Sequence, residues 1–231
     1  MIAGRVAAVR ERISRAAERA GRRPTDVQLV AVSKTQPPEA VREAFAAGLR
    51  EFGENKVQEA EAKIAALADL RAQGLHWHLV GHLQANKARK AAVLFDRVHS
   101  MDDRRLAERL EQAAAEEGKV LPLLAQVDLA GEETKFGIPE SRLFATLDSV
   151  RGLKSVRVEG LMLLPPLSND AEDMRPFFRR LRALRDQAVK EQLLVGSELS
   201  MGMSHDLEVA VEEGATFVRV GTAIFGERKK S

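Results

Sequence analysis

Lys34 follows a short apolar run, Gln28-Leu29-Val30-Ala31-Val32-Ser33, and Pro37-Pro38-Glu39 just beyond it reads as a helix start. A lysine past the carboxyl end of a buried strand is placed to act as an amine nucleophile. Apolar surroundings disfavour an ammonium and leave neutral amine to attack a carbonyl. Late in the chain lie Ser200-Met201-Gly202-Met203-Ser204 and Arg219-Val220-Gly221-Thr222. Small residues there let backbone N–H groups approach phosphate oxygens, and a helix start adds a favourable dipole. Ser204 also reads as the N-cap of a helix from Asp206. An amine with a phosphate site suits a phosphorylated aldehyde, which points to pyridoxal 5'-phosphate (PLP). Each part alone has a plainer reading: a solvated rim lysine, turn serines, and an arginine paired with a carboxylate.

These residues need a frame that brings them together. β-Branched and apolar runs at 28–33, 50–53, 76–81, 97–100, 121–128, 157–163, 198–201 and 217–220 read as eight strands. Amphipathic stretches read as helices at 1–20, 38–47, 56–70, 85–95, 104–117, 139–150, 171–191 and 206–213. Gly48, Gly118, Gly152 and Gly214 stand where helices should end. Strand–helix repetition with eight strands predicts an α/β fold: one (β/α)8 TIM-type barrel with an additional N-terminal helix, a single domain over 1–231. A doubly wound open sheet is the rival. In a barrel, Lys34, Asn55, the 200–204 loop and Gly221-Thr222 all follow strand ends and share the carboxyl face, where barrel sites form.

Composition narrows the chemistry. The 231 residues are 45% hydrophobic, enough for one large core. Lys and Arg number 36 against 34 Asp and Glu, a net charge of +2 that argues little for nucleic acid. Nine Phe and one Trp make few stacking platforms. With no cysteine, disulfides, zinc–thiolate sites and thiol nucleophiles are excluded. A cysteine-free chain suits the cytoplasm, and residues 1–20 lack the apolar centre of a signal peptide. No apolar stretch is long enough to span a bilayer. His76 and His78 share one strand face and His82 follows, but no acidic residue is placed nearby as a third metal ligand. Lys87, Arg89 and Lys90 read first as a solvated helix face and second as a nucleic-acid contact.

Five segments carry a family resemblance: Ala31–Thr35, 52–59 (Phe-Gly-Glu-Asn-Lys-Val-Gln-Glu), 77–87, 199–204 and 218–226. Together they resemble the pyridoxal phosphate homeostasis proteins (the YggS/PROSC group), and the resemblance runs over nearly the whole chain. That family is similar to the barrel domain of alanine racemase without its second domain. The resemblance implies PLP held as a Schiff base on Lys34. It implies phosphate contacts from Ser200 or Ser204 and from Gly221 and Thr222. Arg219 would lie near the pyridine nitrogen and Asn55 would line the pocket. Lys56 departs from the family's usual tyrosine, and His205 from its usual acidic residue.

The implied function is a non-catalytic carrier or buffer of PLP in vitamin B6 and amino-acid homeostasis. Its partners would be PLP, other B6 vitamers and apo PLP enzymes, with the chain a monomer. The alternative is a small PLP-dependent amino-acid racemase. An arginine at the ring nitrogen disfavours its protonation and makes a poor electron sink. The chain has no tyrosine, so a lysine–tyrosine pair of opposed bases cannot be built.

Overall fold

The computed structural model describes residues 1–131, 136–166 and 168–227. Eight strands form its centre: β1 (Gln28–Val32), β2 (Glu51–Glu54), β3 (His76–Leu79), β4 (Arg97–Met101), β5 (Leu121–Asp128), β7 (Val156–Leu163), β8 (Glu198–Ser200) and β9 (Phe217–Val220). A two-residue strand, β6 (Ile138–Pro139), hangs on the outer end of β5. All pairings are parallel, in the order β4-β3-β2-β1-β9-β8-β7-β5, and β4 pairs with β5 to close the ring. That closure excludes the open sheet. Strands buried on both faces are rich in apolar residues, which is why these runs stand out in the sequence.

The helices are α1 (Ile2–Arg19), α2 (Pro38–Ala46), α3 (Val57–Ala66), α4 (Ala68–Arg71), α5 (Ala88–Leu94), α6 (Arg104–Glu116), α7 (Leu143–Val150), α8 (Arg175–Lys190), α9 (Leu207–Glu212) and α10 (Thr222–Phe225). Most apolar side chains lie between this shell and the barrel. A second, smaller cluster of Val30, Val80, Leu124, Met162 and Phe217 fills the lumen. The additional N-terminal helix packs Ile2, Val6, Val9, Ile13, Ala16 and Ala17 against α2, α9 and α10.

Several helix boundaries differ from expectation. The predicted helix 56–70 breaks at Leu67, whose φ of −120° and ψ of 22° interrupt the helical path between α3 and α4. The predicted helices 85–95, 139–150 and 171–191 each open with a 3-10 turn or a strand bridge rather than an α-turn. Gly48, Gly118 and Gly214 take positive φ after their helices, whereas Gly152 does not. The four-residue α10 has no counterpart among the predicted helices, because it is too short to show periodicity.

Candidate functional site

The turn that carries Lys34 is held from below. Ser33 and Lys34 follow β1 directly, and α2 begins at Pro38 as its Pro-Pro-Glu start predicts. Ser33 Oγ donates to Glu54 Oε1 at 2.7 Å. Lys63, from α3, donates to the same oxygen at 2.6 Å and to the Ser33 carbonyl at 2.6 Å. Lys63 and Glu54 are a buried ion pair, so the turn before Lys34 hangs on a desolvated charge network. Its other carboxylate oxygen, Glu54 Oε2, is buried without a hydrogen-bond partner. Thr35, next to Lys34, has φ of 63°, a left-handed conformation that is uncommon for a β-branched residue. Strain of this kind, of order 1–3 kcal/mol, persists where surrounding contacts overdetermine it.

A cavity of about 430 Å³ opens at the carboxyl end of the barrel. Its lining brings together Lys34, Asn55, Ser204, Arg219, Gly221 and Thr222, six of the seven expected site residues. No Asp or Glu is among the described residues that line it. Gly81 makes the Asn55 wall possible: a Cβ at this position would sit 2.3 Å from the Asn55 carbonyl oxygen. At the other wall, Gly221 precedes α10, and Ala223 N in its first turn donates to Ser204 Oγ at 3.2 Å. Ile224 N and Phe225 N donate to the Gly221 carbonyl at 2.9 Å, which leaves the Ser204 and Thr222 hydroxyls as the donors on this wall. Arg12 of α1 reaches the same loop, donating to the Ser204 carbonyl at 3.0 Å while gripping Glu208. Ser204 is not the N-cap of α9, as the sequence suggested. Asp206 holds that position and accepts from Met203 N at 2.6 Å.

Ser200 is the seventh expected residue, and its place corrects the expectation of a direct phosphate contact. It is fully buried inside the barrel and does not line the cavity. Its Oγ accepts from Arg219 Nη1 at 2.6 Å and lies 2.8 Å from His99 Nδ1. Arg219 is buried too, and its second contact is the Leu163 carbonyl at 2.8 Å. Burial lowers its pKa to about 10, with Asp206 opposing, so it stays a cation at neutral pH. The sequence reading missed His99, Glu51, Lys63 and Ser33. The available signal was a polar residue inside an apolar strand, as in His99 of Arg97–Met101.

The histidines divide. His76 is exposed, His78 is buried and bonded to Glu51 and His99, and His82 lines the cavity edge. His82 stacks on Phe136, and its Nδ1 lies 3.2 Å from Asp102 Oδ2 without the alignment of a hydrogen bond. Burial raises the Asp102 carboxyl, against the pull of His82. Among the described residues no group of three His, Asp or Glu is placed to hold a metal ion. On α5, Lys90 pairs with Glu61 and Arg89 lies 3.5 Å from Glu116, so the basic cluster is a helix face with its own counter-charges. Lys56 is exposed, pairs with Glu59 and lies outside the cavity lining, whereas His205 lines the cavity.

A larger cavity, about 700 Å³, lies at the opposite end between α1 and the barrel floor. Its arginines are engaged with backbone: Arg10 with the Ala47 and Gly48 carbonyls, Arg50 with those of Phe45 and Leu49. It contains no lysine, and chemistry therefore favours the smaller cavity over the larger.

Residues 5–229 match the family described as alanine racemase, N-terminal domain. The chain is 45% identical to the pyridoxal phosphate homeostasis protein of Aquifex aeolicus (strain VF5), covering 97% of each. It superimposes on PipY of Synechococcus elongatus PCC7942, solved with PLP bound, with a TM-score of 0.87 and 44% identity over 98% of this chain and 100% of that one. Alanine racemase of Clostridium difficile 630 shares the fold, with a TM-score of 0.71 at 11% identity over 96% of this chain and 56% of that one. The chain belongs to the pyridoxal phosphate homeostasis proteins, within the family of the alanine racemase N-terminal domain.

Proposed function

We propose that this chain binds PLP as a Schiff base on Lys34 and acts as a carrier or buffer of PLP in vitamin B6 and amino-acid homeostasis. The carboxyl-end cavity carries the reading. It joins an amine, a buried cation and the Ser204 and Thr222 hydroxyls in one space, with no carboxylate among the described lining residues. This donor set fits an anionic phosphorylated aldehyde. A relative solved with PLP bound supports the same reading. PLP, when bound, supplies an aldehyde that condenses reversibly with amines.

The roles of the chain's residues follow from their places. Ser204, Thr222 and the backbone at Gly221 would hold the phosphate. Asn55 forms the wall beside Lys34. Arg219 would hold the pyridine ring, and Ser200 holds Arg219. The Lys63–Glu54–Ser33 network sets the height of the Lys34 turn. An arginine in place of a carboxylate at the ring, with no tyrosine in the chain, favours storage over catalysis. Other B6 vitamers and apo PLP enzymes are the proposed partners of a cytoplasmic monomer. No helix among the described residues is long and apolar enough to cross a membrane.

Titration of the apo protein with PLP, followed by absorbance, tests this reading. Wild type should develop the band of an imine, and Lys34→Ala should lose it and bind at least ~100-fold more weakly, a difference of about 2.7 kcal/mol. An unchanged spectrum and affinity in Lys34→Ala would remove Lys34 from the site. The racemase alternative draws on one observation, His82 with Asp102 behind it at the cavity edge. It requires α-proton exchange of an amino acid in deuterated water, and no exchange across an amino-acid panel would leave storage as the function.

A further inference from the structure

Four hydrogen bonds run through the barrel lumen in one unbroken line. Glu51 Oε2 lies 2.6 Å from His78 Nε2, and His78 Nδ1 lies 2.8 Å from His99 Nε2. His99 Nδ1 lies 2.8 Å from Ser200 Oγ, which accepts from Arg219 Nη1 at 2.6 Å. The line begins at the first residue of β2, on the wall of the amino-end cavity, and ends at Arg219 on the wall of the carboxyl-end cavity. Phe217 packs against both imidazoles and excludes other polar partners from the middle of the lumen.

The two ends determine every proton between them. Arg219 can only donate, and an ionised Glu51 can only accept. Burial alone would raise the Glu51 carboxyl, but the His78 hydrogen bond and the charges of His78, His76 and Arg97 bring it below the ordinary value. Burial, with the charges of His78, Arg219 and Arg97, holds His99 well below 6.5 and therefore neutral. A line that ends in a donor at Arg219 and an acceptor at Glu51 has one sense: Arg219 gives to the Ser200 oxygen, the Ser200 hydroxyl to His99 Nδ1, His99 Nε2–H to His78 Nδ1 and His78 Nε2–H to Glu51. The other charged groups facing it are already matched or distant: Arg97 pairs with Glu159 at 2.6 Å, and Asp206 acts on Arg219 through space.

We infer that Glu51, His78 and His99 are positioning residues for Arg219: with Ser200 they form a directed hydrogen-bond chain that orients the buried guanidinium from the far end of the barrel. Arg219 has no carboxylate within ion-pair distance among the described residues, and Asp206 acts on it only through space, so its hydrogen bonds to Ser200 and to the Leu163 carbonyl set its direction. The consequence for bound PLP rests on the proposed function; the chain itself does not.

The test uses the full-length protein and two readouts. In apo protein with 15N-labelled histidine, NMR at neutral pH should show the Nε2 proton on both His78 and His99. Ser200→Ala should broaden the Arg219 side-chain Nε–H resonance, which is sharp in wild type. A Nδ1-protonated His99, or an Arg219 signal indifferent to Ser200→Ala, overturns the chain. In PLP-loaded protein, Glu51→Leu removes the terminal acceptor and Glu51→Gln keeps one. Glu51→Leu should shift the absorption band of bound PLP and weaken binding about threefold, Ser200→Ala should weaken it further, and Glu51→Gln should keep the wild-type band. A folded Glu51→Leu protein with unchanged spectrum and affinity makes Glu51 merely structural and overturns the inference. If wild type takes up no PLP, the proposed function falls while the histidine tautomers still decide the chain.

Discussion

The two ends of the barrel hold cavities of opposite character. The amino-end cavity is the larger, about 700 Å³ against about 430 Å³, yet its arginines are spent on backbone carbonyls. They close the end of α2 and the entry to β2, and so serve the fold. At the carboxyl end Lys34, Arg219, Ser204 and Thr222 share one wall system with no carboxylate among its described lining residues. Volume shows where a molecule fits, but the chemistry of the lining shows which molecule the site suits.

The contrast breaks most readily at the support beneath Lys34. Lys63→Met removes one partner of a buried ion pair and leaves Glu54 charged and desolvated. The expected loss of stability is about 3–5 kcal/mol, read from urea unfolding. A loss below about 1 kcal/mol would show that the turn does not depend on this network.

The lumen offers a pH test of intermediate size. The folded pKa of His99 is depressed, so the unfolded state binds the extra proton first. Stability is then fully present above the ordinary value of 6.5 and declines as pH falls below it. The expected slope is about 1.4 kcal/mol per pH unit from this residue. His99→Asn should flatten that portion of the curve, and a variant with the wild-type slope would assign the titration elsewhere.

The donor corner predicts a smaller effect. Ser204→Ala deletes one hydroxyl from the phosphate wall and should weaken PLP binding about fivefold, near 1 kcal/mol. Inorganic phosphate should compete with PLP less effectively in this variant. Equal competition in both proteins would remove Ser204 from the wall. Smallest of all is the amino-end control: Ala7→Trp partly fills the larger cavity and should leave PLP affinity within about twofold. A large change there would contradict the division of roles between the two ends.

The barrel was legible because parallel strands buried on both faces carry apolar runs, as at 29–32, 123–125 and 160–163. Lys34, Asn55, Arg219 and Gly221 were legible for a related reason, since residues after strand ends in a barrel share one rim. Ser200 was misread because a hydroxyl at a strand end can turn toward the loop or into the lumen, and its partner His99 is 101 residues away. The Glu51–His78–His99 line went unread for the same reason: nothing in the sequence shows which side chains meet across a barrel. The one clue was a polar residue in each apolar strand. The misplaced N-cap at Ser204 has a local cause, since Asp206, two residues on, is an equally good cap.

Borohydride reduction of PLP-incubated protein, followed by peptide mass spectrometry, tests the central claim most directly. The account predicts a phosphopyridoxyl group on Lys34, with buried Lys63 unmodified. Protein saturated with PLP that carries the group on another lysine, or on none, would contradict it.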